Sequence, residues 1–240
     1  MKVETRRRAL GASSKPSRLR LTLEPAESDS RRNRLLNAGI AEFASRGYGG
    51  ARVDVIASRA KVNKQLLYYY FGNKSGLYVA TLEHAYLRFR GDEKAIRQAI
   101  VGVSAQAALH NLAGHLFRRS TEFLQFQRLL QDINLHGDKL LRKAKGVREA
   151  YRVLIEVIES ILQRGAEEGC FRPGIDPKEF YISLVGVVSS RITNATTLSY
   201  VLDLDLLDKA HAVQSHRYAI DLLLHGIMCI GSDEKRPGAP

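Results

Sequence analysis

Residues 51–77 read ARVDVIASRAKVNKQLLYYYFGNKSGL, and this stretch decides the fold. Apolar residues in its first part recur at i, i+3, i+4 and i+7, which is the spacing of one helix face. These residues are Val53, Ile56, Ala57 and Ala60. Lys61–Asn63 predicts a tight turn, and residues 64–71 predict a second short helix. Two short helices joined by such a turn form a helix-turn-helix, whose second helix enters the major groove of DNA.

The second helix has an apolar stripe and polar side chains on its other faces. Leu67 and Phe71 lie four residues apart, so they are predicted to face the core together with Val62. The same spacing aligns three further pairs on the remaining faces: Lys64 with Tyr68, Gln65 with Tyr69, and Leu66 with Tyr70. A cation, an amide and aromatic rings directed away from the core are typical of a helix that reads a groove rather than of a buried helix.

Each of these residue types has a role on DNA. Lys64 can donate to guanine or phosphate, Gln65 can bond an adenine edge twice, and Leu66 can contact a thymine methyl group. Tyrosine hydroxyls can reach phosphate oxygens, and Lys74 stands beside a helix N-terminus that also favours phosphate. Packing of the tyrosines and plain solvated surface for the polar residues are the alternatives. The candidate DNA-binding residues are Arg52, Asn63, Lys64, Gln65, Leu66, Tyr68, Tyr69, Tyr70 and Lys74.

The segments around this stretch also predict helices. A preceding helix begins near Arg31, with Ser28, Asp29 or Ser30 as its cap, and ends at the glycines of residues 46–50. A long helix begins near Lys74 or Ser75 and continues to Phe89. Residues 1–28 are polar and rich in Arg and Ser, which predicts a disordered basic arm.

Charge is concentrated in the N-terminal third of the chain. The whole sequence of 240 residues has a net charge of +12. Residues 1–90 hold 18 Lys and Arg against 7 Asp and Glu, while residues 91–240 hold 19 against 18. A basic region of this kind indicates a polyanionic partner such as DNA, although a merely basic soluble face is the alternative.

Beyond Gly91 the pattern stays helical, without the alternation of strands. Predicted helices cover residues 92–101, 105–125, 126–136, 147–168, 177–198 and 208–228. The sequence therefore predicts an all-α protein, with a helix-turn-helix DNA-binding domain in residues 29–74. A larger helical-bundle domain for ligand binding and dimerisation is expected in residues 75–230, followed by a flexible tail in residues 231–240.

Several residues of the first 80 follow one another in a recognisable order. They are Phe43, Gly47, Tyr48, Val53, Ile56, Ala57, Ala60, Val62, Leu67, Tyr68, Phe71, Lys74 and Leu77. In this order the sequence resembles the N-terminal pattern of the tetracycline-repressor (TetR) family of bacterial regulators. Three positions depart from it. Arg52 replaces a hydroxyl residue and could keep a phosphate contact as an ion pair. Lys61 replaces a turn glycine, and Asn63 replaces a serine cap that it can equal.

The resemblance implies a homodimer, a palindromic operator of double-stranded DNA and a small-molecule effector. It places the dimer interface on the last two long helices, here 177–198 and 208–228, although their apolar stripes could also be intramolecular core. The ligand-binding domain diverges most in the family, so its pocket is harder to place, and core packing competes for each aromatic residue. The candidate ligand-binding residues are Phe117, Phe123, Phe126, Asn134, Tyr151 and Tyr181.

Other classes of function find little support in the sequence. Cys170 and Cys229 form no disulfide framework, no pair of histidines has the spacing of metal ligands on one helix face, and no cofactor is expected. No apolar run approaches the length of a membrane span, so we expect a cytoplasmic protein. The sequence contains no recognisable enzyme motif. The main alternative to a ligand-responsive regulator is a DNA-organising protein that has no effector.

Overall fold

The computed structural model describes residues 25–91, 93–136 and 139–229. Within these ranges the chain contains helices and one isolated bridge, between Phe171 and Met228, but no strand. The predicted all-α class is thereby confirmed. The helices are α1 (Pro25–Gly50), α2 (Val53–Arg59), α3 (Lys64–Phe71), α4 (Lys74–Arg90), α5 (Glu93–Ile100), α6 (Ala105–Glu122), α7 (Leu124–His136), α8 (Lys145–Glu167), α9 (Pro177–Thr193), α10 (Ala195–Leu202) and α11 (Lys209–Ile227).

The first helix begins earlier than the sequence predicted. It starts at Pro25 rather than near Arg31, so residues 25–28 belong to a helix and not to the predicted arm. Proline suits the first turn of a helix. The rest of the predicted arm, residues 1–24, and the predicted tail, residues 231–240, lie outside the described residues.

The helix-turn-helix forms where the spacing predicted it. Gly47 interrupts α1 with φ 65° and ψ 175°, near the predicted end of that helix, and the chain then enters α2 and α3. Buried apolar side chains from α1 to α4 pack into one cluster, which includes Phe43, Ile56 and Leu67. This cluster fixes the angle at which α3 leaves the turn.

Packing continues across the predicted domain boundary at residues 74 and 75. The same cluster extends through α4 to α7 and α8, with Leu82, Phe126 and Leu129 among its buried members. Helix α7 packs along both α1 and α4. The helix-turn-helix therefore rests directly on the first helices of the larger domain.

A second apolar cluster joins α5, α6, α8, α9 and α11. Ile158 and Leu184 are among its most deeply buried members. None of the helices in the described ranges is long and apolar enough to cross a membrane.

The predicted helix 177–198 is in fact two helices, because the chain turns at Asn194 between α9 and α10. The amide of Asn194 donates to the carbonyl of Ser190 at 2.9 Å, and such local bonds compete with continuation of a helix.

Candidate nucleic-acid interface and effector cavity

Helix α3 presents two opposite sides of four residues each. Lys64, Gln65, Tyr68 and Tyr69 are exposed, and 79% of Tyr69 is accessible to solvent. Leu67 is completely buried, and Phe71 packs against the same core. The outward side thus combines a cation, an amide and two phenol groups, which are the donors that bases and phosphates accept from.

Two predicted contact residues lie on the inner side of α3 instead. Leu66 is only 6% exposed, and Tyr70 is half-buried and packs against the core. The reason is that α3 contacts α1, α2 and α4, so its buried side is wider than a single stripe of residues four apart. Leu66 cannot rest on a thymine methyl group in this conformation, which corrects the sequence-based prediction for that residue.

An ion pair links the two helices of the motif. Nζ of Lys64 lies 2.6 Å from Oδ1 of Asp54, and both side chains are about half exposed. Their hydrogen bond raises the pKa of Lys64 and lowers the pKa of Asp54. Lys64 also lies over the ring of Tyr68, with Nζ 6.0 Å from the ring centroid. Asp54 therefore orients the cation and at the same time partly neutralises it.

The turn between α2 and α3 accommodates both Lys61 and Asn63. Lys61 adopts φ 52°, in the left-handed region that favours glycine, so the turn forms with lysine at this position. Asn63 caps α3, and its side-chain oxygen accepts from the backbone N–H of Gln65 at 2.8 Å. This capping bond fixes the first turn of α3, from which Gln65 projects.

Further cations surround α3. Lys74, the first residue of α4, donates to the carbonyl of Gly49 at 3.1 Å and lies over the ring of Tyr48. This places its charge beside the loop before α2, where the exposed Arg52 precedes that helix and its side chain forms no capping bond. The other exposed cations of residues 29–74 are Arg32, Arg34, Arg46, Arg59, Lys61 and Lys64.

A cavity of about 140 Å³ lies behind this unit, between α4, α6, α7, α8 and α9. Four of the predicted ligand-binding residues line it: Phe126, Asn134, Tyr151 and Tyr181. Its lining, within the described part of the chain, includes no charged residue. The lining residues are Phe89, Leu116, Ser120, Phe126, Gln127, Leu130, Gln131, Asn134, Tyr151, Tyr181, Val185, Val188, Ser189 and Thr193.

The other two predicted ligand-binding residues lie elsewhere. Phe117 stacks on His216 with ring centroids 3.8 Å apart, and it lines a different groove. Phe123 follows α6 and packs into the cluster shared with α1 and α4, beneath the guanidinium of Arg88. Both phenylalanines lie on or next to α6, at turns of that helix that face neighbours other than the cavity.

The polar groups of the cavity are neutral hydrogen-bonding groups. Burial, and secondly the neighbouring Tyr151, raises the pKa of Tyr181 above its usual value, so its phenol stays protonated. Gln127 is 4% exposed and its amide donates to the hydroxyl of Ser120 at 3.2 Å. The cavity can thus bind an apolar ring and satisfy a few uncharged polar atoms around it.

The sequence analysis missed the polar side of α7 and one carboxylate. Gln127, Gln131 and Asn134 recur at helical spacing, and all three line the cavity, although only Asn134 was selected. Asp132, on the same helix, accepts from the backbone N–H of Tyr48 at 3.0 Å and from the hydroxyl of Tyr78 at 2.9 Å. The spacing of the amides was visible in the sequence, whereas the long-range partners of Asp132 were not.

Comparisons with known proteins agree with this geometry. The family model described as bacterial regulatory proteins, tetR family, matches residues 35–81, and the model described as tetracyclin repressor-like, C-terminal domain, matches residues 106–223. The HTH-type transcriptional repressor NicS of Pseudomonas putida is 29% identical over 201 residues, which cover 84% of this chain and 94% of NicS. The HTH-type transcriptional repressor SCO4008 of Streptomyces coelicolor is 46% identical over 57 residues, 24% of this chain and 30% of that protein.

A solved structure extends the likeness to the whole fold. The transcriptional regulator FadR from Bacillus subtilis, crystallised in complex with stearoyl-CoA, has a TM-score of 0.62 and 19% identity, covering 81% of this chain and 98% of FadR. The fold and the outward side of α3 thus define a helix-turn-helix, DNA-binding transcriptional regulator rather than an enzyme. The chain belongs to the tetracycline-repressor (TetR) family.

Proposed function

We propose that this chain is a repressor that binds a palindromic operator as a homodimer and is released by a small, uncharged effector. The observation that carries the proposal is the outward side of α3, where Lys64, Gln65, Tyr68 and Tyr69 are exposed. Behind it lies a separate cavity without a charged lining residue in the described part of the chain. Repression is the direction suggested by NicS, which is named a repressor.

On DNA, the different residue types on the outward side of α3 would contact different groups of the duplex. Gln65, in the first turn of α3, can bond an adenine edge, and Lys64 can reach guanine or a nearby phosphate when it exchanges Asp54 for DNA. The hydroxyls of Tyr68 and Tyr69 are suited to phosphate oxygens. Arg52 and Lys74 lie at the starts of α2 and α4, where they can position the duplex by its backbone.

Exposed apolar side chains on α9 and α11 support a homodimer. Ile182 of α9 is 61% exposed, and Tyr218 and Leu222 of α11 are 68% and 60% exposed. Gly186 and Ser190 are also exposed on α9, and small residues allow two helices to approach closely. A two-fold pair through α9 and α11 would present two α3 helices to half-sites about 34–36 Å apart, or a multiple of that distance.

The size of the cavity limits the effector. At about 140 Å³ it is close to the roughly 150 Å³ cavity that accommodates benzene. Stearoyl-CoA, the ligand of FadR in the crystal, is far larger and highly charged. We therefore infer for this chain a compact, neutral effector with one ring or a short apolar body, and with polar atoms for Gln127, Asn134 and Thr193.

Helix α7 is suited to carry the signal from the cavity to the DNA-binding unit. It lines the cavity with Phe126, Gln127 and Gln131, and the next residue, Asp132, holds α1 and α4. An effector that displaces α7 would therefore also displace α1 and α4. The two α3 helices of a dimer would then lose the spacing that fits successive major grooves.

DNA binding is tested by selection of genomic fragments with the full chain. We expect one enriched palindrome, bound about 10³-fold more tightly than random DNA at physiological salt. A selection without any enriched palindrome would instead support a DNA-organising protein that has no effector.

Dimerisation is tested by Ile182→Arg, with Leu135→Arg as a matched control. Both residues are largely exposed, but Leu135 belongs to α7 and not to the proposed dimer helices α9 and α11. Light scattering coupled to size exclusion should give a monomer only for Ile182→Arg. A dimer in both variants would mean that another surface pairs the chains.

The effector cavity is tested with Gln127→Leu, against the exposed Gln125→Leu on the same helix. Neutral single-ring compounds are screened for release of the selected operator from the wild-type protein by fluorescence anisotropy. Gln127→Leu should still bind DNA but require about tenfold more of an active compound, since one hydrogen bond is lost. Equal responses in both variants would remove the cavity from the proposal.

A further inference from the structure

A second groove lies apart from the effector cavity, between the C-terminal half of α9, α10 and the middle of α11. It has a volume of about 330 Å³, more than twice that of the effector cavity. Such a volume lies within the range of small-molecule sites, roughly 300–1,000 Å³. Its walls include Phe117, Arg191, Leu198, Leu206, His216 and Leu222.

Arg191 is the unusual member of this lining. Its Nε and Nη2 atoms are buried and have no hydrogen-bond partner in the described part of the chain. These two nitrogens share one edge of the guanidinium, the edge that binds a carboxylate through two parallel hydrogen bonds. Buried donors without partners cost free energy, so the site would gain by receiving an acceptor with two oxygens.

Two carboxylates lie near Arg191, but the edge of its guanidinium that carries Nε and Nη2 is not occupied by either of them. Asp205 and Asp208 attract the guanidinium electrostatically, but they do not hydrogen-bond to the two buried nitrogens. Burial, then the charges of His110 and Arg118, lowers the pKa of His216 to about 4, so this imidazole is neutral at pH 7. Arg191 is the one fully charged residue that lines the groove within the described ranges.

We propose that this groove binds a small organic carboxylate with an apolar body. The carboxylate pairs with Nε and Nη2 of Arg191, and the apolar body lies among Phe117, Leu198 and Leu222. The apolar walls favour such a molecule over a hydrated inorganic anion, which would lose its water without gaining apolar contacts. The site shares no lining residue with the effector cavity, and the proposal does not depend on that cavity.

A second copy of the chain is the competing occupant, because Tyr218 and Leu222 belong both to this groove and to the proposed dimer face. The carboxylate is favoured since it satisfies both buried nitrogens of Arg191 and fills the apolar floor beside Phe117. The experiment below separates the two occupants.

Benzoate and hexanoate are the probes, with benzamide and hexanamide as neutral analogues of the same shape and acetate as an anion that lacks an apolar body. Binding to the purified full-length protein is measured by saturation-transfer NMR and calorimetry. We expect saturable binding of the two larger carboxylates, and affinities at least about tenfold weaker for the amides and for acetate.

Two substitutions at Arg191 make the test specific. Arg191→Lys keeps the charge but loses the two parallel bonds, so benzoate binding should weaken about five- to tenfold. Arg191→Met should abolish it, while Arg128→Met, which removes an exposed arginine from α7, should leave it unchanged. Circular dichroism and operator binding establish that each variant is folded.

Three results would overturn the proposal. Equal binding of benzoate and benzamide would show that the guanidinium does not select the ligand. Loss of benzoate binding in Gln127→Leu but not in Arg191→Met would place the carboxylate in the effector cavity. A shift of the monomer–dimer equilibrium in Arg191→Met, with unchanged benzoate binding, would assign the groove to a second copy of the chain.

Discussion

The hydroxyl of Tyr78 donates a hydrogen bond to Oδ2 of Asp132 at 2.9 Å and thereby joins α4 to α7. The same oxygen accepts from the backbone N–H of Tyr48 at 3.0 Å, where α1 ends. A side chain at Gly47 would place its Cβ 2.6 Å from Oδ1, so this approach requires glycine. Burial raises the pKa of Tyr78 well above its usual value, and Asp132 raises it further, so the phenol remains a donor.

Removal of this hydroxyl should weaken the packing of α4 against α7. Tyr78→Phe is expected to lower the free energy of unfolding by about 1–2 kcal/mol, because Asp132 loses one charge-assisted hydrogen bond. Urea unfolding followed by circular dichroism measures the change, and Tyr200→Phe, at a residue that is 90% exposed, is the control. The hydroxyl would have no structural role if both variants unfolded at the same urea concentration as the wild type.

Asp54, which pairs with Lys64 of α3, provides a test of the electrostatics of DNA binding. Asp54→Asn should raise operator affinity severalfold and steepen its salt dependence by about one unit, since Lys64 becomes free to pair with phosphate. Anisotropy titrations at two salt concentrations check this, with the exposed Asp221→Asn on α11 as the control. A lower affinity would mean that the ion pair holds Lys64 in its DNA-contacting position.

Gln65 is expected to determine one base of each half-site. Gln65→Ala should reduce discrimination at that base by about 1–3 kcal/mol and leave the other positions of the operator unchanged. Selection from a randomised operator library measures the preference, and Gln125→Ala on α7 controls for loss of an exposed amide elsewhere. An unaltered preference at every position would exclude Gln65 from base recognition.

The stability of the protein should fall in mild acid because of His216. Its pKa in the folded state is about 4, below the usual value of 6.5, so the unfolded chain binds more protons between these two values. The resulting stability is complete above pH 6.5 and is lost as the pH falls towards 4. His84 and His115 are shifted in the same direction by burial and add to the loss.

His216→Gln isolates this contribution. Urea midpoints at pH 7 and pH 4.5 should differ less in the variant than in the wild type, because glutamine does not titrate. The substitution His225→Gln, at an exposed position on the same helix, provides the comparison. The same pH dependence in wild type and His216→Gln would contradict the lowered pKa.

The sequence predicted local structure better than it predicted the faces of buried helices. The spacing of Val53, Ile56 and Ala57 was sufficient to place α2, and Asn63 was recognised as the cap of α3. The prediction that Leu66 contacts DNA was wrong. Periodicity shows which residues of a helix share a face, but it does not show how many neighbouring helices pack against that helix and thus how wide its buried side is.

The residues that line the cavity also could not be predicted from sequence spacing alone. Phe126 and Tyr151 line it, whereas Phe117 and Phe123 face other neighbours. All four are aromatic residues of predicted helices, so the pattern could not separate them. Only the packing of α6 against α7, α9 and α11 decides which ring borders empty space.

The neutral lining of the proposed effector cavity also bears on how an effector would reach the protein. A molecule that fits there has no charge and few polar atoms, and such solutes partition readily into hydrocarbon. The same properties let a compound diffuse through a lipid bilayer without a carrier. The occupancy of this regulator would then follow the concentration of the compound on the far side of the membrane, with no uptake protein between the signal and the gene.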